Sequence, residues 1–494
     1  DMAWENGESV AFTSAYAGNL KEIAHCIRLL EQETGCKRFE IAEEMGMLFA
    51  GGRELYENVE KKRGILDAYL EKCAHNLSGQ TMIVKAEQIC SNLEEKADWL
   101  MEHIRVQEWI AEDEAHGWFN GYYDDHKNPV EGCKDGKVRM MLTSQVFAIM
   151  SGTATPDQIR KICQSADKYL YDEKAGGYRL NTDFGEEKMD LGRMFGFAYG
   201  EKENGAVFSH MAVMYANALY RRGFAREGNK ALQALLNAAM NFDNSRMYPG
   251  LPEYYDLSGR GMYAYLTGAA SWYLLTMVTE VFGVKGVMGD LVIAPAFMPE
   301  QFDAQGNAEV KLIFAGKKFD IRFSNPEKCE CKKEWIKSVL CDEKQLEPEA
   351  GAAYAVRIKK EWIKQLDAEK TMVLGYRDEL FLNKEFEAYG DVYVATEDGS
   401  AGTKGNVMDA IRENGLEADA IFACGPAPML RAIKAYALEK GIPCWISMEE
   451  RMACGVGACL ACVCKSKDVD SHSHVHNKRV CKDGPVFLST EVEL

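Results

Sequence analysis

Glu449-Glu-Arg-Met-Ala-Cys454-Gly-Val-Gly-Ala-Cys459-Leu-Ala-Cys462-Val-Cys464, with Cys481 far along the chain, decides how the C-terminal part of this protein is built. The spacing C-x4-C-x2-C followed by a distant cysteine is that of plant-type 2Fe–2S ligation. A small cluster needs three thiolates aimed at one point. Gly455 and Gly457, with the small Ala453, Ala458 and Ala461, give a backbone that can wrap closely enough to aim them. Cys464 competes with Cys481 for the fourth place. It stands only two residues past Cys462, whereas plant-type spacing draws its last ligand from far along the chain, so Cys454, Cys459, Cys462 and Cys481 are the expected set. Structural zinc is the rival reading, but it usually takes two C-x2-C-like pairs, and this stretch has one. An electron-transfer module is expected at this end of the chain.

Upstream of the cysteines the pattern is that of a small parallel sheet. Residues 371–375 and 391–395 read as buried parallel strands separated by a short helix. The Gly-rich stretch Asp398-Gly-Ser-Ala-Gly-Thr-Lys-Gly405 follows, then a helix near 406–414, a strand at 420–423, a helix over 427–440 and a strand at 443–447. This alternation predicts a nucleotide-binding-type sheet. Between about 289 and 365, Asp290-Leu-Val-Ile-Ala, Val310-Lys-Leu-Ile-Phe and Phe319-Asp-Ile-Arg-Phe alternate with turn residues and predict antiparallel strands.

From residue 8 to about 285 the periodicity is helical. Leu20, Ile23, Ala24, Ile27 and Leu30 share one face, and Gly35 stops the run. Further helices are expected at 38–49, 80–110, 137–151, 156–171, 205–222, 226–241 and 265–283. Between several of them lie loops such as Gly117-Trp-Phe-Asn-Gly-Tyr-Tyr-Asp-Asp125 and Gly176-Gly-Tyr178. Two readings stand side by side here. In one, a helical toroid lines a sugar-sized cleft with aromatic faces, which stack on pyranose rings, and with carboxylates, which accept from hydroxyls. In the other, a helical bundle uses the same aromatic residues as loop anchors.

A chain of 494 residues has room for roughly two to four domains. Its composition, 47% hydrophobic and 27% charged, is that of a globular protein. A net charge of −18 disfavours nucleic acid and anionic membrane as partners, since both carry the same sign. No stretch resembles a signal peptide and no apolar run reaches the length of a membrane span. The sixteen scattered cysteines fit a reducing cytoplasm better than a disulfide framework. The first residue is Asp1 rather than an initiator Met, and the chain is expected to be a piece of something longer.

The helical part resembles the C-terminal portion of the cellobiose phosphorylase family. The carrying stretches are Gly7-Glu-Ser-Val, Gly121-Tyr-Tyr-Asp-Asp, Glu203-Asn-Gly-Ala-Val-Phe-Ser-His210 and Tyr248-Pro-Gly-Leu-Pro-Glu-Tyr254. Gly259-Arg-Gly-Met-Tyr-Ala-Tyr-Leu-Thr-Gly-Ala-Ala-Ser-Trp272 and Phe282-Gly-Val-Lys-Gly286 complete them, and the resemblance covers about residues 1–370. It implies a reaction in which phosphate attacks an anomeric carbon with inversion while one carboxylic acid protonates the leaving oxygen. His210, Thr267 and Gly268 match the family's phosphate pocket, where imidazolium, hydroxyl and backbone N–H are the donors a phosphate takes. The family's acid lies in an Asp-Trp-Asn-Asp stretch upstream of the segment matching Asp1-Met-Ala. No catalytic residue is therefore assigned within residues 1–494, and phosphorolysis by these residues alone is expected to be undetectable. Asp124 and Asp125 are expected to be loop residues rather than that acid.

Residues from about 372 to 494 resemble the C-terminal portion of the electron-transfer subunit of the NAD-dependent bacterial dihydroorotate dehydrogenase family. The motifs are Leu374-Gly-Tyr-Arg377, Ala395-Thr-Glu-Asp-Gly-Ser-Ala-Gly-Thr-Lys-Gly405, Cys424-Gly-Pro-Ala-Pro-Met429, the cysteine stretch above and Val480-Cys-Lys-Asp-Gly-Pro-Val-Phe487. In that family a flavin barrel precedes a nucleotide-binding domain, and the cluster passes electrons to the flavin of a catalytic partner subunit. The resemblance implies nicotinamide-side contacts at Cys424, Gly425 and Pro426, and cofactor-facing contacts at Thr396, Asp398, Gly399 and Gly402. The FAD domain of the family has no counterpart in this sequence. The run Ser471-His-Ser-His-Val-His476 is expected to be an exposed, variable loop rather than a metal site.

The expected architecture is a multidomain α plus α/β chain. It comprises a partial (α/α)6 toroid over 1–287, an antiparallel β-rich domain over 288–370, half of a ferredoxin-reductase-type NAD-binding domain over 371–446 and a small 2Fe–2S domain over 447–494. The expected function is cluster binding and electron transfer in a chimeric chain, as in pyrimidine biosynthesis, with a dihydroorotate dehydrogenase catalytic subunit as partner. The alternative is a carbohydrate-active phosphorylase, or a carbohydrate-binding protein, with a vestigial electron-transfer tail, taking oligosaccharide and phosphate. A helical toroid cut midway would expose apolar helix faces, and aggregation, homo-oligomerisation through those faces or recruitment of a separately encoded complement is expected on that ground.

Overall fold

The first long helix, Val10–Thr34, begins where the Ser9 hydroxyl accepts a hydrogen bond from the Phe12 N–H at 3.2 Å. It ends on Gly35, whose φ of 73° turns its N–H back to the Glu31 carbonyl at 2.8 Å. Serine and glycine are favoured at these places because one offers an acceptor to an orphan donor and the other tolerates the left-handed turn. The computed structural model of the chain describes residues 6–247, 250–263, 268–330, 338–341, 344–346, 356–365, 371–377, 379–387, 389–453, 460–469 and 474–494. Its contacts divide the chain into two units, residues 1–366 and 367–494. Among the described residues no sheet exceeds three strands and none closes into a barrel. No described helix is long and apolar enough to cross a membrane.

In the first unit the helix Val10–Thr34 packs on Ala86–Gln107 and on Leu142–Ser151. Gly18 allows the second of these crossings, since a Cβ there would stand 2.8 Å from the Ser151 Cα. Ser14 Oγ seals the same crossing by donating to Thr153 Oγ1 at 2.7 Å. The helix Ser209–Arg221 packs in turn on Leu142–Ser151, Ala225–Met240 and Gly268–Thr276. Trp118, Phe119, Tyr215, Tyr255 and Phe297 are the largest side chains sealed into this unit. Each large apolar group so buried contributes roughly 1.5–3 kcal/mol over its exposed state. Beyond the helices, Val284–Val287, Asp290–Ile293 and Val356–Ile358 form an antiparallel sheet, and Asn307–Phe314 pairs with Lys317–Ser324.

The helical periodicity is overridden in places. Residues 38–49, expected as helix, form the strand Arg38–Ala42 and a 3-10 turn Glu43–Phe49, because Arg38–Ala42 pairs antiparallel with Thr81–Lys85. The helix expected from residue 80 accordingly starts at Ala86, and the one expected from 137 starts at Leu142, after the short strand Lys137–Arg139. A helix over Val59–Cys73, which buries none of its residues fully, has no counterpart among the expected ones.

In the second unit Thr371–Tyr376 and Asp391–Thr396 are parallel neighbours, as the sequence implies, with the short helix Asn383–Glu387 between them. They are mostly half-buried rather than buried strands. Instead of one sheet there are two. Thr371–Tyr376, Asp391–Thr396 and Thr403–Lys404 make the first, and Ile421–Cys424, Cys444–Ser447 and Val486–Leu488 make the second. One apolar core joins them: Val407 and Met408 from the helix Val407–Glu413 meet Ala423, Leu430, Ile433, Ile446 and Phe487.

Candidate functional site

Cys462, Cys464 and Cys481 come together on a hairpin. Val463–Lys465 pairs antiparallel with Asn477–Arg479, and the register closes when the Val480 N–H donates to the Cys462 carbonyl at 3.0 Å. Cys462 therefore precedes one strand and Cys481 follows the other, and the Cys481 N–H donates to Cys462 Sγ at 3.4 Å. An N–H donated to a sulfur fixes where that sulfur lies. Cys464 lies between, in the buried core, and its thiol donates to the Lys478 carbonyl at 3.4 Å. Burial pushes the Cys464 thiol up. A sulfur that keeps its proton to satisfy a carbonyl is a poor iron ligand. Cys454 and Cys459 lie outside the described residues. Of the histidine run, residues 471–473 also lie outside them, and His476 Nδ1 donates to the Lys467 carbonyl at 2.7 Å. The donors present suit an iron–sulfur cluster: two sulfurs at one hairpin end, one of them already receiving an amide N–H.

The turn that carries Cys481, Val480–Asp483, is clamped by its neighbours. Asp483 accepts from the Arg479 N–H at 2.7 Å and from the guanidinium at 3.0 and 3.3 Å. Arg479 is buried. The i, i+4 spacing of this pair around Cys481 is visible in the sequence, but the contact itself is made only by the folded turn.

The loop after Asp391–Thr396 is held from within. Thr396 is fully buried; its hydroxyl donates to the Ala401 carbonyl at 2.8 Å and accepts from the Ala401 N–H at 3.1 Å. Asp398 accepts from the Ser400 N–H at 2.9 Å, a bond that holds its carboxyl below the usual range. Gly402 has φ 63°, and a Cβ there would meet the Val394 carbonyl oxygen at 2.0 Å, so the turn accepts only glycine. Gly399, at φ 79°, turns back over Lys404. In the other sheet, Cys424 ends its strand exposed, and Gly425 and Pro426 lead into the helix Ala427–Lys440, whose first amides have no side-chain cap. Thr396 and Asp398 to Gly402 share one loop. Cys424, Gly425 and Pro426 form a second loop, on the other sheet.

In the first unit His210 and Gly268 lie against each other, for a Cβ at Gly268 would stand 2.7 Å from His210 Cε1. Thr267 lies outside the described residues. His210 Nε2 and the neighbouring Ser209 Oγ are both buried without a hydrogen-bond partner. Burial lowers the His210 pKa, with Glu253 opposing, so the imidazole is neutral near pH 7. Two orphaned polar atoms beside a glycine backbone make a place where a small polar ligand gains hydrogen bonds that the protein alone leaves unmade.

The aromatic loop at residues 117–125 is a core anchor. Trp118 and Phe119 are sealed, and Trp118 Nε1 donates to the Arg139 carbonyl at 3.2 Å. Asp124 accepts from the His126 and Asn128 N–H groups at 2.9 and 2.8 Å; burial acts to raise its pKa, but these donors outweigh it and hold the carboxyl low. The group that fixes the loop is Glu131, which the sequence reading missed because nothing local marks it. Glu131 is buried and accepts from the Gly121 N–H at 2.8 Å, the Met141 N–H at 2.7 Å, Gln145 Nε2 at 3.3 Å and the Ser144 hydroxyl.

Comparison with known proteins finds one family match within each unit. Residues 449–493 match the iron–sulfur cluster binding domain of dihydroorotate dehydrogenase B, and residues 81–283 match the catalytic domain of the glycosyl hydrolase 94 superfamily. The dihydroorotate dehydrogenase B (NAD(+)) electron transfer subunit of Caldanaerobacter subterraneus is 45% identical over 130 residues, which cover 26% of this chain and 51% of that protein. The same subunit from Fusobacterium nucleatum is 48% identical over 129 residues, 25% of this chain and 47% of that protein. That of Bacillus velezensis is 51% identical over 124 residues, 25% of this chain and 46% of that protein. The chain spans about half the length of the curated relatives it matches. A solved chain described under NADH-dependent reduced ferredoxin-NADP oxidoreductase aligns at 21% identity over 42% of this chain and 87% of that one, with a TM-score of 0.23, too low to carry an argument.

Proposed function

We propose that residues 447–494 bind a 2Fe–2S cluster through Cys454, Cys459, Cys462 and Cys481, and that the chain is an electron-transfer protein joined to a glycoside-phosphorylase-like unit. The observation that carries this is the hairpin end where the Cys481 N–H meets Cys462 Sγ while the Cys464 thiol is committed to a carbonyl. When bound, the cluster supplies one-electron transfer. The chain's own residues orient the sulfurs, supply an N–H to one of them and keep the hairpin packed on an apolar core. The loop at Thr396, Asp398, Gly399 and Gly402 and the turn Cys424-Gly-Pro426 then serve a nicotinamide nucleotide, the uncapped amides of Ala427–Lys440 offering the positive end of a helix. A flavin-bearing dihydroorotate dehydrogenase catalytic subunit is the partner that such an arrangement would feed. Anaerobic preparation or reconstitution should give about two irons and two labile sulfides per chain and a red-brown protein. A colourless, iron-free chain after reconstitution would remove the reading.

A second reading is favoured by the first unit's own geometry. There the fragment, a partial (α/α)6 toroid followed by a β-rich domain, would take phosphate at His210, Thr267 and Gly268, where Nε2 is orphaned. Because burial lowers the His210 pKa, the free imidazole is neutral near pH 7, and an anion would draw a proton onto the ring. Sulfate is the cleaner probe, since its own charge is constant between pH 6 and 8. Its thermal protection of the first unit should be larger at pH 6 than at pH 8 and absent in His210→Ala. Equal protection at both pH values, or in the variant, would show that the anion sits elsewhere.

A further inference from the structure

We propose that Arg479 and Asp483 are positioning residues for the fourth cluster ligand, holding Cys481 in place and setting the charge around its sulfur; this rests on the 2Fe–2S reading above. Cys481 stands midway between them, two residues from each, on the single turn Val480–Asp483. Such a turn is too short to be stable by its own backbone hydrogen bonds. Its shape is imposed by the Asp483 carboxylate, which reaches back to the Arg479 N–H at 2.7 Å and takes the guanidinium on both oxygens, at 3.0 and 3.3 Å. A two-point guanidinium–carboxylate contact with only 8% of the arginine side chain exposed fixes orientation as well as distance. The outcome of that orientation is the Cys481 N–H pointing at Cys462 Sγ at 3.4 Å, with the Val480 N–H beside it on the Cys462 carbonyl at 3.0 Å.

The pair also places a buried positive charge and a more exposed negative charge on either side of Cys481. Together they nearly cancel; separately they act in opposite senses. Loss of the carboxylate leaves a cation that favours the reduced, more negative cluster. Loss of the guanidinium leaves an anion that disfavours it.

The test uses the whole chain, loaded anaerobically, in wild-type form and as D483N, D483E, R479Q and R479K. Iron and sulfide content is read first, then the rate of iron loss to a chelator, the electron paramagnetic resonance spectrum of the reduced cluster and its midpoint potential. D483N and R479Q should lose iron about 10- to 100-fold faster than wild type, with altered g-values and midpoint potentials moved up and down respectively. D483E should recover near-wild-type retention. R479K, which keeps the charge and loses the fork, should release iron faster at an unchanged potential. A wild-type chain that binds cluster while D483N and R479Q keep its release rate and potential overturns this inference alone. So do potentials that shift in the same direction in both variants, since that is the signature of loosened structure without the charge effect. A wild-type chain that takes up no iron and sulfide overturns the cluster reading itself, and this inference with it.

Discussion

Cys481→Ser and Cys462→Ser should each strip the protein of iron and labile sulfide, while Cys464→Ser leaves both in place. The contrast is sharp because the cysteines share one hairpin and differ only in what their sulfurs do. Cys462 receives the Cys481 N–H at its sulfur, whereas the Cys464 thiol donates to the Lys478 carbonyl and is pushed up by burial. A serine hydroxyl at position 464 can make the same bond to that carbonyl, so the hairpin should survive. At 462 or 481 a serine leaves iron one thiolate short, and Cys454→Ser and Cys459→Ser should behave likewise. Iron and sulfide assays with visible absorbance decide the matter. If Cys464→Ser bleaches the protein and Cys481→Ser stays coloured, the ligand assignment is wrong. Since ligation contributes folding energy where an apolar core is small, the bleached variants should also lose hydrogen-exchange protection in the strands Val463–Lys465 and Asn477–Arg479.

Glu131→Gln should destabilise the first unit by about 1–3 kcal/mol and flatten its pH dependence. Burial pushes the Glu131 carboxyl up to about 8 against the pull of its donors. The folded state therefore favours the protonated acid, whose O–H can donate to Ser144 while both oxygens still accept from backbone. An amide NH2 at the same place cannot accept, and it faces the Gly121 or Met141 N–H donor to donor. The sign of the pH effect follows from the raised value. Below the unfolded pKa of about 4.5 both states hold the proton and the group's contribution is fully present. As pH rises toward about 8 the unfolded chain gives up the proton first and that contribution is lost. Hydrogen exchange at the Gly121 and Met141 amides, with denaturant unfolding at pH 5, 7 and 8.5, should show wild type losing protection with rising pH and the glutamine variant uniformly weaker but flatter. Parallel pH profiles for the two proteins would mean that Glu131 does not titrate in this way.

What was legible in the sequence alone was what depends on near neighbours. The helix Val10–Thr34 is bounded by Ser9 and Gly35 because capping is settled within a few residues. The helix Ala427–Lys440 and the parallel pair Thr371–Tyr376 and Asp391–Thr396 follow from local periodicity. Tertiary contact decided the rest. Arg38–Ala42 became a strand because Thr81–Lys85 is there to pair with it, and no window around residue 40 contains that partner. The rings at residues 117–125 became anchors because Glu131, Ser144 and Gln145 draw the loop onto a helix, which leaves Trp118 and Phe119 no path to solvent. The orphaned His210 Nε2 exists only because packing shut out the water that would satisfy it. Spacing could name Cys464 and Cys481 as rivals, but only folding commits the Cys464 thiol to the Lys478 carbonyl and brings the Cys481 N–H to Cys462 Sγ, because those partners are neighbours in space and not in sequence.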